Sequence, residues 1–265
     1  MHRITVAPGI RLAVHEQGTG IPVLLVHAWG ETHRSFDRLL PRLPATTRLI
    51  VPDQRGVGDS SKPPGGYDVG TLGHDLVHLL DALEIERCWL VGTSSGGYLA
   101  QQVAVTNPER VLGLVLVGAP GDLSAVDASG LTDLLTHLSE PLTDDDVASL
   151  LGAFTFHTPV PESFLQSQRT AVAGIPRRVW LASFEGLISA TPPLERGSIT
   201  VPTLILWGAD DDVLPREQAT LLRAAIPGSR LVIYPDTGHL VLWEQPSRVA
   251  ADIVEFIAGH ADGCG

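Results

Sequence analysis

Residues 88–106 read Cys88-Trp89-Leu90-Val91-Gly92-Thr93-Ser94-Ser95-Gly96-Gly97-Tyr98-Leu99-Ala100-Gln101-Gln102-Val103-Ala104-Val105-Thr106. Four apolar residues of strand character run into Gly92, and helical character follows from Tyr98. Ser94 is therefore predicted on a sharp strand-to-helix turn, its backbone strained and its hydroxyl pushed clear of a sheet. Glycine suits both flanks, because a Cβ there would clash with the neighbouring strand and helix. The helix that follows points its positive end at the hydroxyl, which favours a developing oxyanion. A glycine-rich turn without chemistry can use the same letters, so the rest of the chain has to decide.

The composition sets bounds. With 265 residues the chain has room for one large domain and a substantial core. Hydrophobic residues make up 44% and charged residues 18%, a globular rather than disordered balance. Eighteen basic residues face thirty acidic ones, for a net charge of −12. That surface repels phosphate backbones, and no dense Lys/Arg run occurs, so no nucleic-acid partner is expected. No apolar stretch approaches membrane-spanning length, and Met1-His2-Arg3 is not followed by a signal-type apolar run. Cys88 falls in a predicted strand and Cys264 in a Gly-rich tail, a poor pairing for a disulfide. These features predict a cytoplasmic protein with no membrane partner.

Short apolar runs alternate with helical patterns. Strands are predicted at Arg3–Val6, Ile10–His15, Val23–His27, Thr47–Val51, Arg87–Val91, Val111–Val117, Thr203–Leu206 and Leu231–Tyr234. Helices are predicted near Ser35–Leu43, Thr71–Leu83, Gly97–Thr106, Arg216–Ala225 and Ser247–Ala258. The first two strands read as a hairpin edge around Ala7-Pro8-Gly9, and the later, nearly all-apolar strands as a parallel sheet covered on both faces. The fold class predicted is α/β: a doubly wound, mostly parallel eight-stranded sheet with helices on both faces. The alternation breaks between Gly121 and Ile199, where helices are predicted at Val126–Leu138, Asp144–Phe156, Pro161–Val172 and Arg177–Ser189. Thr143 before Asp144-Asp145-Asp146 is a helix start, a hydroxyl cap followed by carboxylates on the positive end of the dipole. Residues 121–199 are thus expected to form a helical cap inserted after strand 6, on a core made of 1–120 and 200–265.

A serine nucleophile needs a base, and the base needs an orienting acid. His239, in Pro235-Asp236-Thr237-Gly238-His239, follows the last predicted strand and so reaches the same rim of the sheet as Ser94. The acid is open on this reasoning alone. Asp210, Asp211 and Asp212 all follow the strand at Thr203, and Asp122 follows the sixth strand.

Several further stretches bring a resemblance into view. Leu24-Leu25-Val26-His27-Ala28-Trp29-Gly30 resembles a His-Gly oxyanion segment, with Ala28 where glycine is usual. Asp53-Gln54-Arg55-Gly56-Val57-Gly58-Asp59-Ser60 resembles a D-x-R-G-x-G-x-S turn, and Gly208 to Pro215 a G-x-x-D-x-x-V-P acid loop. Asp236-Thr237-Gly238-His239 resembles a catalytic histidine turn. Over essentially its whole length the chain resembles a capped member of the α/β-hydrolase superfamily. The resemblance implies a triad of Ser94, Asp211 and His239, with Asp210 the second choice of acid. It implies an oxyanion hole made of the Trp29 and Ser95 backbone amides.

The activity implied is cofactor-free hydrolysis of a small, apolar or aromatic ester or lactone. Trp29, Phe154, Trp180, Phe184 and Val241 are the candidate substrate contacts, although core packing accounts equally well for the cap aromatics, Phe156 included. Similar families also cleave carbon–carbon bonds of vinylogous diketones, for which Arg169, Arg177 or Arg178 would have to anchor an anion. Other relatives act as perhydrolases or as small-ligand receptors. A homodimer is compatible with the sequence. No metal is expected: His74 and His78 lie at helical spacing but have Asp75, not glutamate, between them and no third ligand in view. Gly56-Val57-Gly58 lacks the setting of a dinucleotide fingerprint. His27 is expected to shape the oxyanion loop, and Arg55 to form a structural ion pair.

Overall fold

The computed structural model describes residues 1–124 and 126–260, so Cys264 lies outside the described residues. The strands are β1 (His2–Ala7), β2 (Ile10–Gln17), β3 (Ile21–Val26), β4 (Thr47–Pro52), β5 (Cys88–Thr93), β6 (Val111–Val117), β7 (Thr203–Gly208) and β8 (Arg230–Tyr234). The helices are α1 (Val69–Ala82), α2 (Ser95–Thr106), α3 (Ser129–His137), α4 (Asp144–Leu151), α5 (Glu162–Ala173), α6 (Arg177–Ile188), α7 (Pro193–Arg196), α8 (Glu217–Ala225), α9 (Val241–Glu244) and α10 (Pro246–Ala258).

The strands form one eight-stranded sheet in the order β1-β2-β4-β3-β5-β6-β7-β8. β1 pairs antiparallel with β2, and β2 with β4; all other pairings are parallel. β5 and β7 are buried at every position, which is why their sequences are apolar runs without alternation. One face of the sheet packs Leu76, Leu80, Leu99, Val103 and Leu222 of α1, α2 and α8. The other packs Trp243, Val249, Ile253 and Phe256 of α9 and α10. A third cluster joins Leu135, Leu150, Val172, Val179, Trp180 and Phe184 of α3–α6 to Val57 and Tyr67, with Trp29 packed against it.

Among the described residues, the chain between β6 and β7 holds α3–α7 and no strand. Thr143 and Asp146 form a reciprocal capping box at the start of α4. Two predicted helices differ from what forms. The stretch Ser35–Leu43 folds as two single 3-10 turns, His33–Phe36 and Leu40–Arg42, because Pro41 has no N–H to continue a helical ladder. The helix predicted over Asp144–Phe156 stops at Leu151, before Gly152, and leaves Phe154 and Phe156 on an irregular segment. No helix among the described residues is long and apolar enough to cross a membrane.

The turn after β4 is tied to α1 by a buried ion pair. Arg55 Nε donates to Asp75 Oδ2 at 2.5 Å and Nη2 donates to Oδ1 at 2.6 Å. Breaking a buried pair leaves one charge uncompensated, at a cost of about 3–5 kcal/mol. Asp75→Ala is therefore expected to lower unfolding stability by about that amount in urea titration at pH 7. A loss below about 1 kcal/mol would mean that the pair behaves like an exposed one.

Candidate active site

The turn at Ser94 is built by close approach. A Cβ at Gly96 would lie 2.2 Å from the carbonyl oxygen of Val26, and one at Gly92 2.5 Å from that of Gly96. Backbone atoms at those distances cannot give way, so only glycine fits. Ser94 itself takes φ 46°, ψ −123°, a conformation L-residues rarely hold. Such strain costs about 1–3 kcal/mol and persists only where the surroundings over-determine it. They do here: Ser94 N–H donates to Val117 O and Gly97 N–H to Ser94 O, both at 2.8 Å.

His239 Nε2 lies 3.0 Å from Ser94 Oγ, and its Nδ1 lies 2.8 Å from Asp211 Oδ2. Both side chains of that second contact are almost fully buried. Asp211 Oδ1 accepts the amides of Val213 (3.0 Å) and Leu214 (2.9 Å), which leaves Oδ2 for the imidazole. The other aspartates stand elsewhere. Asp210 and Asp212 are exposed. Asp122 accepts the Ser124 amide, and its backbone is bound to Gln218. Sequence reasoning overlooks Glu244. Its Oε1 accepts the Gly238 amide at 2.8 Å, and its Oε2 accepts the amides of His157 and Thr158 at 2.7 Å each. The histidine turn and the segment after α4 thus share one buried carboxylate. The signal available in the sequence was a glutamate amid apolar residues, Val241-Leu242-Trp243-Glu244.

The loop after β3 passes the elbow. His27 Nε2 accepts the Gln54 amide at 3.0 Å, so its Nδ1 carries the proton and donates to Ala28 O at 2.8 Å. Burial pushes the His27 imidazole down to about 4. Gly30 has φ +74°, and a Cβ on it would meet the Trp180 ring at 2.3 Å. The indole of Trp29 packs edge-on against Trp180 with centroids 4.7 Å apart, and its Nε1 donates to Ser183 Oγ at 2.9 Å. One feature differs from a simple two-amide hole. The Trp29 amide is already engaged: it donates to Ser95 Oγ at 2.6 Å.

A cavity of about 280 Å³ opens above Ser94. Trp29, Phe154, Trp180 and Phe184 line it, as do Ser94, Ser95 and His239. The Phe154 ring stacks on His239 with centroids 6.0 Å apart and planes 9° from parallel. Leucines of α3 and α4, with Gln168, Leu214 and Trp243, also line it and carry no sequence signal that separates them from core; the carboxyl groups of Glu31 and Asp127 are part of the lining too. Val241 does not line this cavity; it is fully buried and borders a second, smaller space beside Ser94 and His239. Phe156 stacks on Trp243 and does not line the cavity. Among the described lining residues there is no lysine or arginine. Arg169 pairs with Glu162, Arg177 donates to Thr136 O, and Arg178 donates to Lys62 O at 2.8 Å.

This sheet, with its serine elbow and histidine turn, is the architecture of a hydrolase. The chain belongs to the α/β-hydrolase family, whose model, described as "alpha/beta hydrolase fold", matches residues 21–246. It is similar to 2-hydroxymuconate semialdehyde hydrolase of Pseudomonas sp. (strain CF600), at 31% identity over 97% of this chain and 93% of that protein. An esterase from Exiguobacterium antarcticum superposes with a TM-score of 0.87 at 26% identity, covering 97% of this chain and 98% of the other. A meta-cleavage product hydrolase from Pseudomonas fluorescens IP01 gives 0.80 at 26% identity, covering 98% of each.

Two outcomes are expected. Asp211→Asn should lower kcat by about 10⁴-fold, because an amide no longer holds the required imidazole tautomer. Asp210→Asn, Asp212→Asn and Asp122→Asn should stay within about threefold of the parent; a larger loss in any of them moves the acid. The second concerns pH. His27 binds a proton less readily when folded than its unfolded value of about 6.5. The unfolded chain therefore holds the extra proton between about pH 6.5 and 4, and stability falls as pH drops through that window. In urea melts at pH 7 and pH 5, His27→Gln should shrink the difference between the two midpoints; an unchanged difference would remove His27 as the source.

Proposed function

We propose that this protein is a cofactor-independent serine hydrolase of neutral, apolar carboxylic esters or lactones. The observation that carries the substrate class is the cavity wall, which is mostly apolar, includes the carboxyl groups of Glu31 and Asp127, and has no lysine or arginine among its described residues. A buried carboxylate on the substrate would have no partner there, and an unpaired charge costs several kcal/mol.

In this reading His239 takes the Ser94 proton as Oγ attacks the carbonyl carbon, and Asp211 stabilises the imidazolium. The helix of α2 presents the Ser95 amide to the oxyanion. For the Trp29 amide to join it, the Ser95 hydroxyl turns away and yields its place to the oxyanion. His239 then protonates the leaving alcohol, and water releases the acid. Residues 121–199 act as the cap, with Trp180, Phe184 and Phe154 setting substrate choice and Trp29 shared between cap and hole.

A second reading, carbon–carbon bond hydrolysis, is favoured by the names of two of the relatives. It is weakened by the cavity, because a hydroxymuconate carries a carboxylate and Arg169, Arg177 and Arg178 all stand outside the lining. Fluorophosphonate labelling should place one adduct on Ser94, and Ser94→Ala should abolish it. Side by side, kcat/KM for p-nitrophenyl butyrate should exceed that for a ring-opened vinylogous diketone acid by about 100-fold or more, the equivalent of an unpaired charge. The reverse preference would assign the carbon–carbon chemistry instead.

A further inference from the structure

A small niche of about 10 Å³ adjoins the triad, walled by Glu31, Thr93, Ser94, His239 and Val241 among others. That is room for one water molecule, which also needs two to four polar partners. Two groups in this wall have no role in forming an acyl-enzyme. Glu31 Oε2 is fixed, accepting the Ala28 amide at 3.1 Å and the Ser35 hydroxyl at 2.6 Å. Ser35 is steadied in turn by Trp243 Nε1–H at 2.8 Å. Glu31 Oε1 accepts none of the hydrogen bonds that hold Oε2 and stands open, since Glu31 lines the large cavity as well as the niche. Burial pushes the Glu31 carboxyl above its ordinary range. Thr93 is more than nine-tenths buried, and its Oγ1 has no partner among the described residues. Bracing of the loop accounts for Oε2 of Glu31 and leaves Oε1 open to the niche; no protein group among the described residues accounts for the buried Thr93 hydroxyl.

We propose that the niche seats the water that hydrolyses the acyl-enzyme, held by Glu31 Oε1 and Thr93 Oγ1 beside Ser94 and His239. The inference rests on the acyl-enzyme reading above. In the step, the water oxygen attacks the acyl carbon while one of its protons passes to His239 Nε2. The carbon–Oγ bond then breaks, and Ser94 recovers that proton from His239. The second hydrogen of the water points to the Glu31 carboxylate throughout, and leaves with the product acid.

The test separates the two half-reactions at pH 8, with p-nitrophenyl acetate in stopped flow and intact-mass detection of acetylated protein. Glu31→Gln is the main variant: its amide oxygen can keep the bonds to Ala28 and Ser35, while an NH₂ replaces the free oxygen. Thr93→Val removes the hydroxyl at nearly constant shape. Both should keep the p-nitrophenol burst rate within about twofold, slow deacylation by about tenfold, and accumulate protein carrying one acetyl group. Unchanged deacylation in both variants, or acylation and deacylation falling together, overturns the niche proposal alone. A parent protein that never acetylates at Ser94 overturns the acyl-enzyme reading, and the niche with it.

Discussion

The approach of two backbones governs this molecule. The Cα of Gly96 sits so near the carbonyls of Val26 and His27 that no side chain can intervene. That contact presses the start of α2 against the end of β3. It brings the Ser95 amide and the loop from His27 to Glu31 to one point, and it forces Ser94 into its unfavourable φ. The strain is offset by a sheet in which β5 is buried along its whole length, so the large parallel core underwrites one misfit residue.

Charge is distributed with equal economy around that point. Asp211 gives one oxygen to its own loop and one to His239, so the carboxylate that orients the imidazole is itself oriented. Glu244 repeats the arrangement one step further out, between the histidine turn and the segment after α4. His27 is kept neutral by burial and serves through hydrogen bonds alone. The site therefore holds Asp211 and Glu244 in fixed bonds, and the described lining of the cavity above Ser94 has no lysine or arginine.

What was legible in the sequence follows from how local the determinants are. The strands, the elbow and the acid-loop spacing depend on short patterns, and the eight predicted strands correspond to β1–β8 within a few residues at each end. The broken alternation after β6 likewise marked a helical block. Long-range features were not legible. That Ser95 Oγ would meet the Trp29 amide depends on a separation of 66 positions, and no motif encodes it. The burial of Val241 beside the smaller space depends on the short helix α9, whose four residues are too few to show a period. The helix predicted through Phe156 shows the opposite error: apolar residues continued past Gly152, and their partner was His239 or Trp243 rather than the next helical turn.

The double grip of Glu244 constrains how anything reaches Ser94. Because one carboxylate clasps both Gly238 and the His157–Thr158 backbone, lifting that segment would disturb the turn that carries His239. On the far side, Trp29 is moored to Ser183, and Gly30 lies under Trp180. Both flanks of the chamber are thereby fastened to residues that stand beside Ser94. Among the described residues, the stretch from Val126 to the start of α3 is bonded over short range: Val126 N–H donates to Leu123 O, Ser129 N–H to Asp127 Oδ1, and Thr132 to Ala128 O. The walls beside His239 and Trp29 are therefore held by the same bonds that hold those two residues, so the shape of the chamber and the seating of its polar groups cannot vary independently.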